Sequence, residues 1–247
     1  MKRLLIRADD LGFSEAVNYG IEKTVKQGII KTVGLMVNMD ATIHGFNLIK
    51  DANVCLGLHT NICVGRPISN PKDIPSIIQA NGEFRTSSEY RKAEKDFVNL
   101  DEVVMEIEAQ YKRFVEITGH NPHYFEGHAV ASENFFKGLE IVAQKYNLPL
   151  LLFSFDGQPI LFRETKLYIH MDSMNTGYNP EKSLKSISFH QDSVEMFVCH
   201  PGYLDEYILN HSSLTIPRTQ EVEMLCNPGI EEWIQNSDIE LVTYDDL

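Results

Sequence analysis

The sequence has neither a long apolar run nor a concentration of positive charge, and each absence excludes a class of protein. No stretch approaches the ~18 consecutive apolar residues that a membrane-spanning helix requires. The 247 residues include 22 lysines and arginines against 35 aspartates and glutamates, which gives a net charge of −13. No basic cluster offsets this charge, so we expect neither a nucleic acid nor an anionic membrane as a partner.

Cysteines are few and show no metal-binding or redox spacing. The four of them, Cys55, Cys63, Cys199 and Cys226, lie far apart, without a CxxC pair. Three (Cys55, Cys199 and Cys226) lie in or beside apolar runs, so we expect free, mostly buried thiols in a reducing compartment. The opening residues MKRLLIRADD contain no signal-peptide core and no small-residue cleavage site. These features predict a cytoplasmic protein.

Glycine-rich phosphate-binding motifs are also missing, because neither GxGxxG nor a P-loop follows the first apolar run. Short β-rich runs instead alternate with helix-length segments. Strands are predicted over residues 3–8, 33–39, 54–58, 123–126, 148–153, 167–170, 194–199 and 239–244. This alternation is typical of a mainly parallel sheet with right-handed crossovers. Seven or eight such units in 247 residues favour an α/β fold with a parallel βα barrel, TIM-barrel-like but irregular or incomplete, over an open doubly wound sheet.

Two helices have clear sequence signals. Ser14 is suited to cap a helix that extends to about Gln27, with apolar residues at four-residue steps. A second helix is predicted over residues 100–119, with Asp101 as its N-cap and Gly119 at its end.

The chain is expected to form one domain over residues 1–247, with no internal repeat or linker. Two polar stretches, at about 65–100 and 172–183, contain no convincing barrel element. Insertions of this length are most often lids or substrate walls. We therefore expect both stretches to line the site.

Ionisable residues follow several predicted strands at their carboxyl ends. They are Asp9, Asp10, His59, Glu126, His128 and His200. In a parallel barrel these strand ends lie on one rim, where barrel enzymes hold their catalytic residues. Adjacent carboxylates repel each other and are costly to bury, so a cation is expected beside Asp9 and Asp10.

Two imidazoles and one carboxylate form a common ligand set for a divalent cation, and they leave positions open for water and substrate. We predict Asp10, His59 and His128 as the ligands of one such ion. Two imidazoles suit Zn²⁺, while Mg²⁺, Mn²⁺ and Co²⁺ are alternatives. Successive residues of a strand point in different directions, so Asp9 is free to act as a general base.

Four ordered motifs, ADDLGFSEAVNYGI, GLHTNICVGRPI, FEGH and MFVCHPGY, resemble the YdjC-like carbohydrate deacetylases, which include chitooligosaccharide deacetylases. The resemblance covers nearly the whole chain and implies a βα-barrel-like fold, a homodimer and hydrolysis of an N-acetyl group from a sugar. The implied substrate is a small chitobiose-like acetylated sugar or oligosaccharide, with or without a 6-phosphate. By position, Asp10, His59 and His128 match the metal ligands. Asp9 matches the base that acts on metal-activated water, and His200 matches the acid.

The segment EGHAVAS departs from the family pattern Asp-x-His-x-His-x-His. Glu126 replaces the aspartate, and Val130 and Ser132 stand where further histidines are common. The ligand His128 is retained, so the resemblance supports the metal chemistry more strongly than it supports a particular substrate.

Arg66, Tyr203 and Arg218 are weaker candidates for contacts with sugar hydroxyls or a phosphate. Two other functions remain open at this stage: a metal-dependent barrel enzyme that cleaves or isomerises phosphorylated disaccharides, and a non-catalytic sugar-binding relative. Acetate release would separate deacetylation from the first alternative, and the metal content of the purified protein would test the second.

Overall fold

The computed structural model describes residues 2–152 and 157–247. Its strands are β1 (Lys2–Leu11), β2 (Thr32–Leu35), β3 (Cys55–Thr60), β4 (Phe125–Gly127), β5 (Ile160–Phe162), β6 (Thr165–His170), β7 (Ser193–Cys199) and β8 (Ile239–Leu241). Its helices are α1 (Glu15–Lys26), α2 (Thr42–Ile49), α3 (Ser87–Lys92), α4 (Leu100–Thr118), α5 (Glu133–Tyr146), α6 (Pro180–Lys185), α7 (Glu206–His211), α8 (Ile216–Leu225) and α9 (Pro228–Asn236).

All eight strands belong to one curled sheet, in the order β4-β3-β2-β1-β7-β6-β5, with β8 paired to β1. Every pairing is parallel except that of β5 with β6. The predicted α/β barrel is therefore confirmed, although the sequence did not indicate the short antiparallel strand β5.

The barrel is incomplete in the part of the chain that the structure describes, because no pairing there joins the β4 side of the sheet to β5. Leu150 extends the sheet beyond β4 by a single parallel bridge to Phe125. This bridge lies within the predicted strand 148–153, and the last residue of that strand, Phe153, lies outside the described residues.

Alternate residues of β1 face two different cores. Leu4 and Ile6 pack with the surrounding helices, whereas Leu5 packs with the side chains inside the barrel. Arg7 continues the interior row, since its guanidinium lies over the Tyr124 ring and donates to the Tyr244 hydroxyl. Because side chains alternate along a strand, the next interior position is that of Asp9. The interior row thus changes from apolar to charged toward the carboxyl end of β1.

The two helices predicted most clearly are both present. Ser14 caps α1, which ends at Gln27 as expected. The N-cap of α4 is Asn99 and not Asp101, because the Asn99 side chain accepts hydrogen bonds from the N–H groups of Asp101 and Glu102. The predicted cap was therefore wrong by two positions. Gly119 ends α4 in the left-handed conformation.

The inserted stretch at 65–100 is bonded to the barrel helices. It contains two short 3₁₀ turns and α3. The Glu106 carboxylate of α4 accepts hydrogen bonds from the N–H groups of Ile68 (3.0 Å) and Ser69 (2.8 Å). The stretch is thus tied to α4 by buried polar groups.

The expected absence of a spanning helix and the expected state of the cysteines are both found. Among the described residues, every helix is too short or too polar to cross a bilayer. All four cysteines are free thiols, and only Cys226 is not buried.

Candidate metal centre

The two adjacent aspartates both reach the mouth of the barrel because the backbone of β1 changes there. Residues 8–11 of β1 span the same register as residues 33–35 of β2, so β1 contains one extra residue, a β-bulge. Asp10 has a φ of 75°, a left-handed conformation that is uncommon outside glycine. In a regular strand Asp9 and Asp10 would point to opposite faces. The bulge instead directs both toward the carboxyl ends of β3 and β4.

The three predicted metal ligands come together at this point. Asp10 Oδ1 lies 3.3 Å from His59 Nε2 and 3.2 Å from His128 Nδ1. The two imidazole nitrogens are 2.8 Å apart. Residues from β1, β3 and the turn after β4 therefore converge, and their ligand atoms all lie within 4.8 Å of one another.

The residues present fit a divalent cation. Asp10 Oδ1 is fully buried yet accepts no hydrogen bond. A buried carboxylate oxygen without a donor is costly, by on the order of 1–3 kcal/mol or more. A cation bound to this oxygen and to the two imidazole nitrogens would remove that cost, and two nitrogens with one oxygen are suitable ligands.

The charges of the three side chains depend on one another. Burial alone would raise the pKa of the Asp10 carboxyl, but Arg218 and His128 outweigh it and hold that pKa well below its usual range. Burial lowers the pKa of His128, while Asp10 and then Cys63 raise it, to a net value of about 9. The pKa of His59 is also raised against the effect of burial, mainly by Glu126. The same carboxylates that favour a proton on these imidazoles would favour a cation in its place.

Glu126 orients the ligand His59. Its carboxylate contacts His59 Nδ1, so that Nε2 faces Asp10. A carboxylate behind a ligating histidine fixes the ring and increases its basicity. The glutamate that replaces the family's aspartate therefore still reaches the imidazole. Val130 is buried, and Ser132 caps α5, so the two positions where histidines were expected have structural roles.

Asp9 keeps one carboxylate oxygen free of hydrogen bonds. Asp9 Oδ2 accepts a 2.6 Å hydrogen bond from Arg7, whereas Oδ1 is buried without a donor. A Cβ on Gly34 would lie 3.0 Å from Asp9 Oδ1 and 3.2 Å from His59 Cβ, so β2 passes close behind both side chains. The free oxygen can accept a proton.

His200 follows β7 and is positioned by a buried acid. Its backbone N–H donates to Glu221 at 2.6 Å, and its Nδ1 lies 3.5 Å from Ser173 Oγ, so the second inserted stretch reaches the site. Burial lowers the pKa of His200 to about 4, although Asp10 and Asp9 oppose this shift. His200 is therefore neutral at pH 7.

Arg218 occupies a different place from the one expected. It is buried on α8, and its Nη2 donates to Asp10 Oδ2 at 2.7 Å. It also donates to the carbonyl oxygens of His200 (3.3 Å) and Leu214 (2.9 Å). Its donors are committed within the protein, so the predicted sugar or phosphate contact is corrected. Arg218 thus binds Oδ2 of Asp10, the carboxylate oxygen opposite to the one that lies near the two imidazoles.

The other two weak candidates, Tyr203 and Arg66, are not part of the ligand group. Tyr203 is half-buried against α1, where it and Glu223 raise the pKa of Lys23, with Glu223 the larger influence. Its expected role as a platform for a sugar ring stays a prediction. Arg66 is exposed on the 65–100 stretch, and its part in substrate binding stays a prediction.

The sequence interpretation assigned no role to Arg7 or Glu221. Arg7 binds Asp9 at 2.6 Å and lies 3.7 Å from Glu126. A signal was present, since a residue two positions before Asp9 in a strand shares its face. Glu221 gave no such signal, because α8 meets the end of β7 only in the folded chain.

The family model for "YdjC-like protein" matches residues 3–236. The chain belongs to the YdjC-like family. This confirms the resemblance carried by the four sequence motifs. The match extends across all the candidate metal-centre residues described above.

This YdjC-like chain is similar to curated carbohydrate deacetylases over its full length. It is 30% identical over 254 residues to a carbohydrate deacetylase of Clostridium beijerinckii, which covers 99% of this chain and 100% of that protein. It is 28% identical over 260 residues to a chitooligosaccharide deacetylase of Serratia marcescens, with coverage of 100% and 99%.

A solved structure from Enterococcus faecalis V583 has the same fold, with a TM-score of 0.84. Cleavage of cellobiose phosphate has been attributed to that protein. The two chains are 23% identical, and the match covers 99% of this chain and 98% of the other. At this identity the likeness shows a common fold and nothing about substrate.

Proposed function

We propose that this chain is a divalent-cation-dependent hydrolase that removes N-acetyl groups from small acetylated sugars or oligosaccharides. The observation that carries the proposal is the buried, unsatisfied Asp10 Oδ1, which lies 3.2–3.3 Å from one nitrogen of each of His59 and His128. The names of the full-length relatives, carbohydrate deacetylase and chitooligosaccharide deacetylase, support the substrate class.

Asp10, His59 and His128 would hold the cation, which when bound polarises the acetamide carbonyl and makes water more acidic. The protein keeps two of these ligands in position. Arg218 holds the second oxygen of Asp10, and Glu126 holds the second nitrogen of His59. Each of these two side chains therefore has only one ligand atom that can face the cation.

Asp9 is the proposed general base. Its Oδ1 accepts a proton from the attacking water, while Arg7 fixes the other oxygen at 2.6 Å and balances the carboxylate charge. The water oxygen forms a bond to the acetyl carbon, and the bond from that carbon to the sugar nitrogen breaks. Positioned proton transfer of this kind contributes about 10²–10⁴-fold to the rate.

The sugar amine leaves only if it gains a proton, and the resting His200 does not carry one to give. Its pKa of about 4 leaves the imidazole neutral at pH 7. The reaction is balanced if the proton that Asp9 takes from water then passes to the amine nitrogen. We propose that His200 relays or orients this transfer, in place of the stored acid that the family resemblance implies.

An acetate-release assay with two variants tests the proposal. The substrates are N-acetylglucosamine and diacetylchitobiose, each with and without a 6-phosphate, in the presence of Zn²⁺, Mg²⁺, Mn²⁺ or Co²⁺. We expect D9N to bind the cation normally but to lose at least about 100-fold in kcat. We expect H59A to lose both cation and turnover. E116Q, on the exposed face of α4, is the matched control and should behave like the unmodified protein.

Two results would contradict the proposal. One is the absence of acetate from every substrate while the cation is bound, which would favour a sugar-binding protein or a disaccharide-cleaving enzyme. The other is near-normal turnover by D9N, which would remove Asp9 as the base.

The finer details are part of the same proposal. Two imidazole ligands favour Zn²⁺ over Mg²⁺. A single domain is supported by the one sheet that contains all eight strands. The homodimer and the cytoplasmic location stay predictions, which sedimentation analysis and cell fractionation would test.

A further inference from the structure

A second group of ligand-type side chains lies at the other end of the barrel. Cys55 begins β3, His123 precedes β4, and Asp245 lies in the 3₁₀ turn near the C-terminus. Their sulfur, nitrogen and oxygen atoms all lie within 4.8 Å of one another. His59 is four residues farther along β3, which at ~3.3 Å per residue is about 13 Å away. The two groups share no residue.

One of the three side chains is buried and the other two are partly exposed. His123 Nδ1 lies 2.7 and 2.8 Å from the two carboxylate oxygens of Asp245, and the Cys55 thiol lies against the same carboxylate. Cys55 is only 3% exposed, whereas the His123 and Asp245 side chains are 36% and 48% exposed. An exposed His–Asp pair by itself is an ordinary surface contact. This pair differs from an ordinary surface contact because its carboxylate also contacts the buried thiol of Cys55.

We propose that Cys55, His123 and Asp245 form a second metal site, selective for Zn²⁺, with water as the fourth ligand. A thiolate, an imidazole and a carboxylate are all zinc ligands in tetrahedral sites. The sulfur disfavours Mg²⁺ and Ca²⁺, which prefer oxygen. Tetrahedral bonds of about 2.0–2.3 Å place ligand atoms roughly 3.3–3.6 Å apart. The partly exposed His123 and Asp245 side chains must therefore separate slightly from each other and adjust toward the buried sulfur of Cys55. The thiol proton is released to solvent on binding.

Zinc here would connect three segments that are distant in sequence. The C-terminal turn is anchored by the buried Tyr244, which packs on Tyr124 and accepts a hydrogen bond from Arg7. The residues after Tyr244 are tied by exposed hydrogen bonds, from Arg3 to the Asp246 carbonyl (3.2 Å) and from Arg163 to the Leu247 carboxyl end (2.7 Å). A ligand that binds only the folded chain stabilises it in proportion to its concentration and affinity. The site would therefore fasten the exposed part of the turn to the amino ends of β3 and β4 and have a structural role.

Cobalt uptake by the full-length, chelator-stripped protein tests the site, with a phosphine to keep thiols reduced. We expect two equivalents of Co²⁺ and a sulfur-to-cobalt charge-transfer band in the near ultraviolet. C55S should lose the band and one equivalent. H59A should lose the other equivalent and keep the band. C63S is the matched control, because Cys63 is also buried and lies beside His128, and it should keep the band.

Zinc binding and melting temperature give a second test. H123Q and D245N alter half-exposed side chains, so they should leave the metal-free melting temperature unchanged while weakening zinc binding about tenfold or more. Zinc should raise the melting temperature of H59A but not that of H59A combined with C55S. Acetate release by H123Q should be normal, which separates this site from the proposed catalytic one.

The second site would be excluded by any of three results. These are a cobalt complex without the charge-transfer band, a band that survives C55S, and a band that is lost in C63S.

Discussion

The left-handed backbone conformation of Asp10 allows two adjacent acids to face different partners. At a φ of 75° it occupies a conformation that costs a non-glycine residue on the order of 1–3 kcal/mol. The Asp10 carboxylate also forms a buried ion pair with Arg218, at 2.7 Å. The result is that Asp9 faces Arg7 and Asp10 faces the two imidazoles. Two chemically identical side chains thus receive different environments.

Glu126 gives a test of ligand orientation at the residue scale. E126Q keeps the volume of the side chain but removes the charge behind His59. We expect the affinity for the cation to fall about 10–100-fold, with most of kcat recovered at saturating metal. Calorimetric titration of the metal-free protein measures this change. E133Q, on the exposed face of α5, should leave the affinity unchanged. Equal affinities in E126Q and the unmodified protein would mean that Glu126 does not orient the ligand.

The stability of the metal-free protein should fall as the pH rises from about 6.5 to about 9. The pKa of His128 is about 6.5 in an unfolded chain and about 9 in the folded protein, so the folded state binds this proton more tightly. Its stabilising contribution is complete below pH 6.5 and is lost as the pH rises through 9. Glu221, whose pKa burial raises to about 7, loses its contribution over pH 4.5–7.

Melting temperatures of chelator-treated protein across this pH range measure the effect. The loss for His128 alone is at most about 3 kcal/mol. H128Q should show a flatter pH profile, and added Zn²⁺ should reverse the slope because the cation and the protons compete for the same nitrogens. A metal-free melting temperature that rises from pH 6.5 to pH 9 would contradict the assignment.

At the scale of elements, α4 carries two polar residues on the face that packs against the barrel. Glu106 and Gln110 are fully buried there, in positions that a hydrophobic periodicity would assign to apolar residues. Their partners are backbone groups of the chain after β3, including the N–H groups of Ile68, Ser69 and Asn61. The inserted stretch therefore has a fixed attachment to the helix.

E106A should loosen this attachment. Two backbone N–H groups lose their acceptor, so we expect a loss of stability of about 1–3 kcal/mol and faster proteolytic cleavage within residues 65–100. Limited proteolysis followed by mass spectrometry locates the cuts. E116A, on the exposed face of the same helix, removes a carboxylate without a buried partner and should leave the cleavage rate unchanged. Cleavage of E106A at the unmodified rate would show that other contacts hold the stretch.

The helices also show which boundaries the sequence could predict. The predicted limits of α1, Ser14 and Gln27, were correct because a helix cap and an apolar period are local features of the sequence, and here they agree. Asn99 and Asp101 are both suitable caps two positions apart. The direction in which the chain enters α4 decides between them, and that direction depends on the inserted stretch before it.

At the scale of the whole molecule, the barrel interior depends on close approach of β3 to a buried aromatic ring. A Cβ on Gly57 would lie 2.3 Å from ring atoms of Tyr124. Tyr124 cannot move away easily, because it is fully buried and packs on Tyr244 with ring centroids 4.2 Å apart. A larger residue at position 57 must therefore displace the centre of the barrel.

G57A should destabilise the protein by about 1–3 kcal/mol through overpacking. Thermal or urea unfolding measures the change. G229A in α9 is the matched control, because its new Cβ would meet only the Asn227 side chain, at 3.3 Å, and alanine favours helix over glycine. An unfolding midpoint of G57A equal to that of the unmodified protein would mean that the interior is packed less tightly than the distances show.

The sequence by itself determined the α/β pattern, the presence of β1, β3, β4 and β7 with their carboxyl ends correct to within three residues, and the three side chains that meet as candidate metal ligands. These follow from local periodicity and from the rule that parallel strands bring their carboxyl ends to one rim. Only the tertiary structure decided the role of Arg218, which binds the carboxylate of the ligand Asp10. The reason is physical: which groups a buried charge faces depends on elements more than 200 residues apart in the chain, such as Asp10 and Arg218.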